Sequence, residues 1–108
     1  MTHIRIERGD GWFRLTMEGH AGVGPYGADP VCAGLSALAY TGARMIEELD
    51  AEARLAAPPV IRLEPGFALM EGRGNRDGKE VVDHLGRFLL AGLRLMAESF
   101  PKAVSVMC

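Results

Sequence analysis

The chain has 108 residues, 48% of them hydrophobic, and 12 Lys and Arg against 14 Asp and Glu give a formal net charge of −2. That is one domain's worth of chain, too apolar to be disordered, and with no basic block or aromatic–basic interleaving it is a poor match to a nucleic-acid partner. Two cysteines, Cys32 and Cys108, are too few for a disulfide framework, and charges interrupt every apolar run short of membrane-spanning length.

The first eight residues alternate aliphatic and charged side chains and contain no apolar signal core, so the expected setting is a reduced cytoplasm with no membrane contact. Residues 3–8 read as a half-buried strand with Ile4 and Ile6 on one face. Gly9-Asp10-Gly11 is a tight turn, and Trp12 to Glu18 resumes the alternation through Phe13, Leu15 and Met17, which makes a β-hairpin. Gly19 and His20 follow at the end of its second strand.

Asp29-Pro30 opens a helix. Aspartate is a favoured N-cap, and proline suits the first helical position because the amide it lacks has no intrahelical partner there. The helix is expected from Pro30 to about Leu49, with Val31, Leu35, Leu38, Ala39, Met45, Ile46 and Leu49 on its apolar stripe. Gly34 and Gly42 each cost about 1 kcal/mol relative to alanine, and close packing against a neighbour is the expected compensation. Residues 51–59 are read as a fraying end, stopped by Pro58-Pro59.

Val60–Glu64 and Phe67–Glu71 flank Pro65-Gly66, which suits the centre of a type II turn, and form a second hairpin. Gly72 to Gly78 reads as a polar loop, Lys79 to about Phe100 as a helix with Asp77 as candidate cap, and Ala103–Met107 as a last short strand. The order ββαββαβ predicts a single α+β domain with two helices packed on a mostly antiparallel sheet. The second helix is apolar over an unusually wide arc. Val82, Leu89, Leu90 and Leu93 form one stripe; Val81, Leu85, Phe88, Gly92, Leu95 and Met96 form another beside it. A sheet covers one stripe, and a second copy of the chain is the expected cover for the other.

The chemistry concentrates between residues 19 and 36. If the helix starts at Pro30, Cys32 sits in its first turn, where orphan N–H groups and the helix dipole favour negative charge. A free thiol titrates near ~8.5, and ionising one fully at neutral pH takes roughly 2.7 kcal/mol, more than the ~0.3–1 kcal/mol a helix end typically supplies. His20, at the end of the preceding strand, is positioned to make up the difference, so the two residues form a candidate nucleophile–base pair. Gly22-Val23-Gly24-Pro25-Tyr26-Gly27 matches the dinucleotide-binding pattern G-x-G-x-x-G, but its third glycine precedes the helix and the flanking strands belong to hairpins. A cysteine phosphatase loop is set aside as well, because the next arginine after the thiol is Arg44, three turns along the helix. His3 and His84 read as surface residues and Met17, Met45, Met70, Met96 and Met107 as core filling. No His/Cys/Asp/Glu cluster has ligand spacing, so neither a metal nor another cofactor is expected.

Taken together, Gly19-His20-Ala21, Gly27-Ala28-Asp29-Pro30-Val31-Cys32-Ala33 and Ser36-Ala37-Leu38 resemble the signature of the ribosomal-processing cysteine protease family, Prp or YsxB-like. The resemblance extends to chain length and element order. It implies a homodimeric cysteine endopeptidase that removes a short N-terminal extension from the bacterial large-subunit ribosomal protein number twenty-seven. His20 falls on the family's histidine and Cys32 on its nucleophile; Asp29 and Ser36 match supporting positions. The loop with Gly22, Gly24, Tyr26 and Gly27 becomes a flexible cover over a peptide substrate, and the first-turn N–H groups, that of Cys32 among them, become oxyanion donors. Pro30 departs from the usual isoleucine and removes one such donor; Gly34-Leu35 departs from Ala-Val. Two other readings remain at this stage: the same chemistry on a non-ribosomal protein such as a phage structural protein, and a catalytically silent dimeric peptide-binding module.

Overall fold

The computed structural model describes residues 1–25 and 27–108. Its elements are β1 (Thr2–Gly9), β2 (Trp12–Glu18), α1 (Pro30–Ala51), β3 (Val60–Glu64), β4 (Phe67–Arg73), α2 (Lys79–Ser99) and β5 (Val104–Met107). The strands form one sheet in the order β3-β4-β2-β1-β5, antiparallel throughout except for β5, which runs parallel to β1. The predicted α+β architecture is therefore the observed one.

Strand alternation puts the apolar set on one face. Ile4 and Ile6 of β1, Phe13, Leu15 and Met17 of β2, Ala68 and Met70 of β4 and Val104 of β5 are all buried. The register stacks Ile6 beside Leu15 and Leu15 beside Met70, so three neighbouring strands present one continuous floor. α2 lies over β1, β2 and β5, and α1 lies beside it over β4. Phe13 is at the centre, fully buried against Gly86 of α2, where an added Cβ would meet its ring at 3.2 Å.

The helices meet through small residues. A Cβ at Gly92 would lie 2.9 Å from Leu38 Cδ2, one at Gly42 3.0 Å from Leu89 Cδ1, and one at Gly34 3.0 Å from Met96 Cε. Close interhelical packing is thus the compensation for glycine inside α1. On α2, Val82, Leu89, Leu90 and Leu93 are buried, whereas Phe88 and Leu95 on the neighbouring stripe are 65% and 63% exposed. No described helix is long and apolar enough to cross a membrane.

Three local expectations are corrected. α1 does not fray into the proline pair. It ends at Ala51, and Ala53, at a φ of 57°, turns the chain left-handed, while Arg54 N–H bonds Leu49 O at 2.9 Å and Ala53 N–H bonds Asp50 O at 3.0 Å. This is a Schellman closure with alanine in the usual glycine position. Asp77 does not cap α2; the N-cap is Gly78, which makes no side-chain cap bond. Asn75 organises the start instead, its Oδ1 accepting from Asp77 N–H at 2.9 Å and Gly78 N–H at 3.0 Å. Met107 is exposed rather than core filling.

Candidate active site

The site is built where β2 ends. Gly19, at φ 96°, turns the chain out of the strand past the Met1 carbonyl, and its N–H bonds Gly66 O at 2.9 Å. That bond ties the end of β2 to the Pro65-Gly66 turn between β3 and β4. Gly66 has a φ of 75°, as the second central residue of a type II turn requires, and the His20 ring stands over it. A Cβ at Gly66 would lie 3.0 Å from His20 Nε2, so glycine here leaves the imidazole its place.

Asp29 is the clasp between the loop and α1. The residue is only 7% exposed, and its side chain takes four backbone N–H groups. Oδ1 accepts from Val31 at 2.9 Å and Cys32 at 3.1 Å; Oδ2 accepts from Val23 at 2.7 Å and Gly24 at 3.0 Å. Burial pushes this carboxyl up, but the four amides outweigh it and hold it below the usual aspartate range. The expected helix cap is therefore present, with a second function in folding the loop back.

One expectation about the first turn is revised. The N–H groups of Val31 and Cys32 are committed to Asp29 Oδ1, that of Ala33 bonds Asp29 O at 3.0 Å, and Pro30 has none. The opening of α1 therefore has no unoccupied amide through Ala33 to offer an oxyanion. The loop supplies a different contact: Ala21 N–H donates to Cys32 Sγ at 3.3 Å. The thiol is half-buried and the His20 side chain exposed.

His20 and Cys32 line one cavity of about 660 Å³. Gly22, Gly24, Gly27, Asp29 and Ser36 line it too, so the structure gathers every described residue named from the sequence. Tyr26 lies outside the described residues. The opposite wall was not legible beforehand: Leu63, Pro65-Gly66 and Phe67 of the second hairpin, and Tyr40 one turn beyond Ser36 on α1. The one available signal was the Pro-Gly turn, which gave no indication of which loop it would face.

A thiol on the opening turn of a helix, an imidazole at the adjoining strand end and a groove between them are the parts of a cysteine hydrolase. The comparisons agree with that class. The family model for the cysteine protease Prp matches residues 1–105. A search of curated proteins finds no match. Among solved structures, the S. aureus ribosomal processing protease Prp with a covalently linked product peptide superposes with a TM-score of 0.74 at 23% identity, covering 98% of this chain and 97% of that one. The same protease with a substrate peptide gives 0.70 at 22% identity, covering 99% and 98%. SMU.848 from Streptococcus mutans gives 0.67 at 26% identity, covering 98% and 91%.

The chain belongs to the Prp cysteine protease family.

Proposed function

We propose that this protease cleaves peptide bonds through a His20–Cys32 pair, and that its substrate is the N-terminal extension of the large-subunit ribosomal protein twenty-seven. The observation that carries the chemistry is convergence. His20 and Cys32 line the same cavity, and the Ala21 amide, next to His20 in the chain, is bonded to Cys32 Sγ. That bond holds the sulfur against the strand end that carries His20.

In this reading His20 takes the thiol proton and Cys32 Sγ attacks the scissile carbonyl carbon. The tetrahedral intermediate collapses as His20 protonates the departing amine, leaving a thioester; water, deprotonated by His20, then releases the acid and restores the thiol. Because the first-turn amides are committed to Asp29, the oxyanion donors come from the loop, where Gly22 and Gly27 line the cavity. The substrate assignment rests on the family and on the S. aureus enzyme, described as an essential ribosomal processing protease. The setting that goes with it is the cytoplasm, where the thiol stays reduced.

The test is intact mass of the extended ribosomal protein after incubation with the enzyme. Wild type removes the extension; Cys32→Ala leaves it in place, and His20→Ala slows removal by about 10²–10⁴-fold. Undiminished cleavage by both variants refutes the pair. A proteome-derived peptide library, run alongside, separates a wrong substrate from wrong chemistry.

A homodimer completes the reading. Phe88 and Leu95 leave an apolar stripe on α2 that this chain does not cover, and a second copy is the proposed cover. Sedimentation at micromolar concentration gives a dimer for wild type and a monomer for Phe88→Asp; a monomeric wild type refutes it.

A further inference from the structure

The two outer strands of the sheet are β3 and β5, and of these only β3 borders the cavity. Its backbone polarity follows from the register. Pro65-Gly66 is a two-residue turn closed by Glu64 and Phe67, so that pair exchanges both ladder bonds, and so do the pairs Arg62–Leu69 and Val60–Glu71. The alternation leaves the N–H and C=O groups of Ile61 and Leu63 pointing away from β4, toward the open side. The neighbouring strands agree: Thr2 N–H, which the same count directs toward β5, bonds Ala103 O at 2.8 Å, and Gly19 N–H bonds the β3–β4 turn.

The side chains set the two faces of this edge apart. On the outer face Arg62 forks onto Glu64 at 3.0 and 3.1 Å and lies over the Phe67 ring at 4.9 Å, which holds the strand end to its turn. On the inner face Ile61 and Leu63 are only half-buried, because α1 packs on β4 and leaves β3 largely uncovered. Between β3 and α1 runs an apolar trough floored by Leu63 and Ala68 and walled by Leu35, Ala39 and Tyr40, continuous with the space in front of His20 and Cys32.

From this juxtaposition we infer that β3 is the docking edge for the peptide to be cleaved. An extended segment beside the scissile bond adds as a sixth strand, bonded to the backbone of Ile61 and Leu63, with alternate apolar side chains in the trough. The occupant is an extended peptide because the edge offers unpaired amides and carbonyls at strand spacing, and such a row is completed by another strand. Because the trough is continuous with the thiol, an extended segment with apolar side chains seated there brings its scissile bond to Cys32. The inference rests on the protease reading above and names how that site holds its substrate.

Amide exchange by NMR on Cys32→Ala tests it, using a sixteen-residue peptide spanning the bond that wild-type enzyme cuts in the ribosomal extension or, if that is not cut, in a library peptide that is. Binding slows exchange at Ile61 and Leu63 at least tenfold, while Arg62, already bonded to β4, is unchanged. In the active enzyme, single N-methylation along the peptide lowers kcat/KM about three- to tenfold at every second position flanking the scissile bond. A peptide that is cut while Ile61 and Leu63 stay unprotected and N-methylation shows no period of two overturns the docking edge but leaves the protease reading standing. No cleavage of any peptide overturns the protease reading itself. Protection of both amides without peptide, rising with protein concentration, assigns the edge to a second copy and overturns the inference.

Discussion

The chain twice runs from a hairpin through glycines into a helix, and the two joints are built differently. Before α2, Gly74 and Gly78 are pressed against the backbone of Lys79 and Arg54, and Asn75 bonds Ala53 O, Asp77 N–H and Gly78 N–H. Before α1, a Cβ at Gly22 or Gly27 would meet nothing within 4 Å among the described residues, and the segment hangs on the Asp29 carboxylate. One joint is packed shut, with the Arg54 guanidinium donating to Asp77 O at 2.8 and 3.2 Å. The other is open, charged and next to the thiol. Gly74 and Gly78 are there because nothing larger fits; Gly22 and Gly27 are there for their backbone angles, φ 74° and 84°.

The sharpest way to break this comparison is to add one methyl group to each joint. Gly78→Ala places Cβ on the Arg54 backbone and is expected to cost roughly 3 kcal/mol or more, a large part of a small domain's stability. Gly22→Ala meets no neighbour among the described residues and is expected to cost only about 1–2 kcal/mol for its left-handed angle, with a disproportionate loss of kcat/KM. Urea denaturation and peptide cleavage on the same samples check both. Equal destabilisation by the two variants would mean the joints do not differ.

Charge gives a second test of intermediate size. Asp29 has a folded-state pKa below the ordinary aspartate value, so its stabilisation is complete above about pH 5 and fades as pH falls through ~3.9 toward the folded value. Thermal melting of wild type between pH 6 and 3 should therefore fall more steeply than that of Asp29→Asn, which loses the charge and with it the slope. Asn75→Ala is expected to lose about 1–2 kcal/mol and keep both the wild-type slope and kcat. The smallest effect lies at the packed joint's other half, where Ala53 closes α1 in a left-handed conformation. Ala53→Gly relieves that angle and should gain about 0.5 kcal/mol in a urea midpoint, with activity unchanged.

All seven elements were legible in the sequence because period-two and three-to-four patterns are local. What escaped was set by partners far along the chain. The pairing of β5 with β1 joins residues about a hundred positions apart, and no pattern in Ala103–Met107 names its neighbour. Ala53 carries no glycine to announce a Schellman closure, so the prolines five residues later looked like the stop. Asn75 and Asp77 both have cap-type side chains, and only the fold decides that Asn75 binds the Asp77 and Gly78 amides leading into α2. At the candidate site, the helix cap, thiol and imidazole could be read from Gly19 to Ser36; the bonds from Asp29 to the Val23 and Gly24 amides could not. The facing wall from Leu63 to Phe67 could not, because it arrives through the sheet order.

That β1–β5 pairing also shapes how the protein is made. Thr2 and Ile4 stand opposite Val104 and Val106, so β1 emerges during synthesis as the first strand and waits for its outer neighbour until the last is translated. Throughout that interval a nascent chain carries a bare, aliphatic strand border, the kind of surface on which partly made proteins stick to one another. Slowing translation near residue 100 should therefore raise the aggregated fraction more than an equal pause within α1.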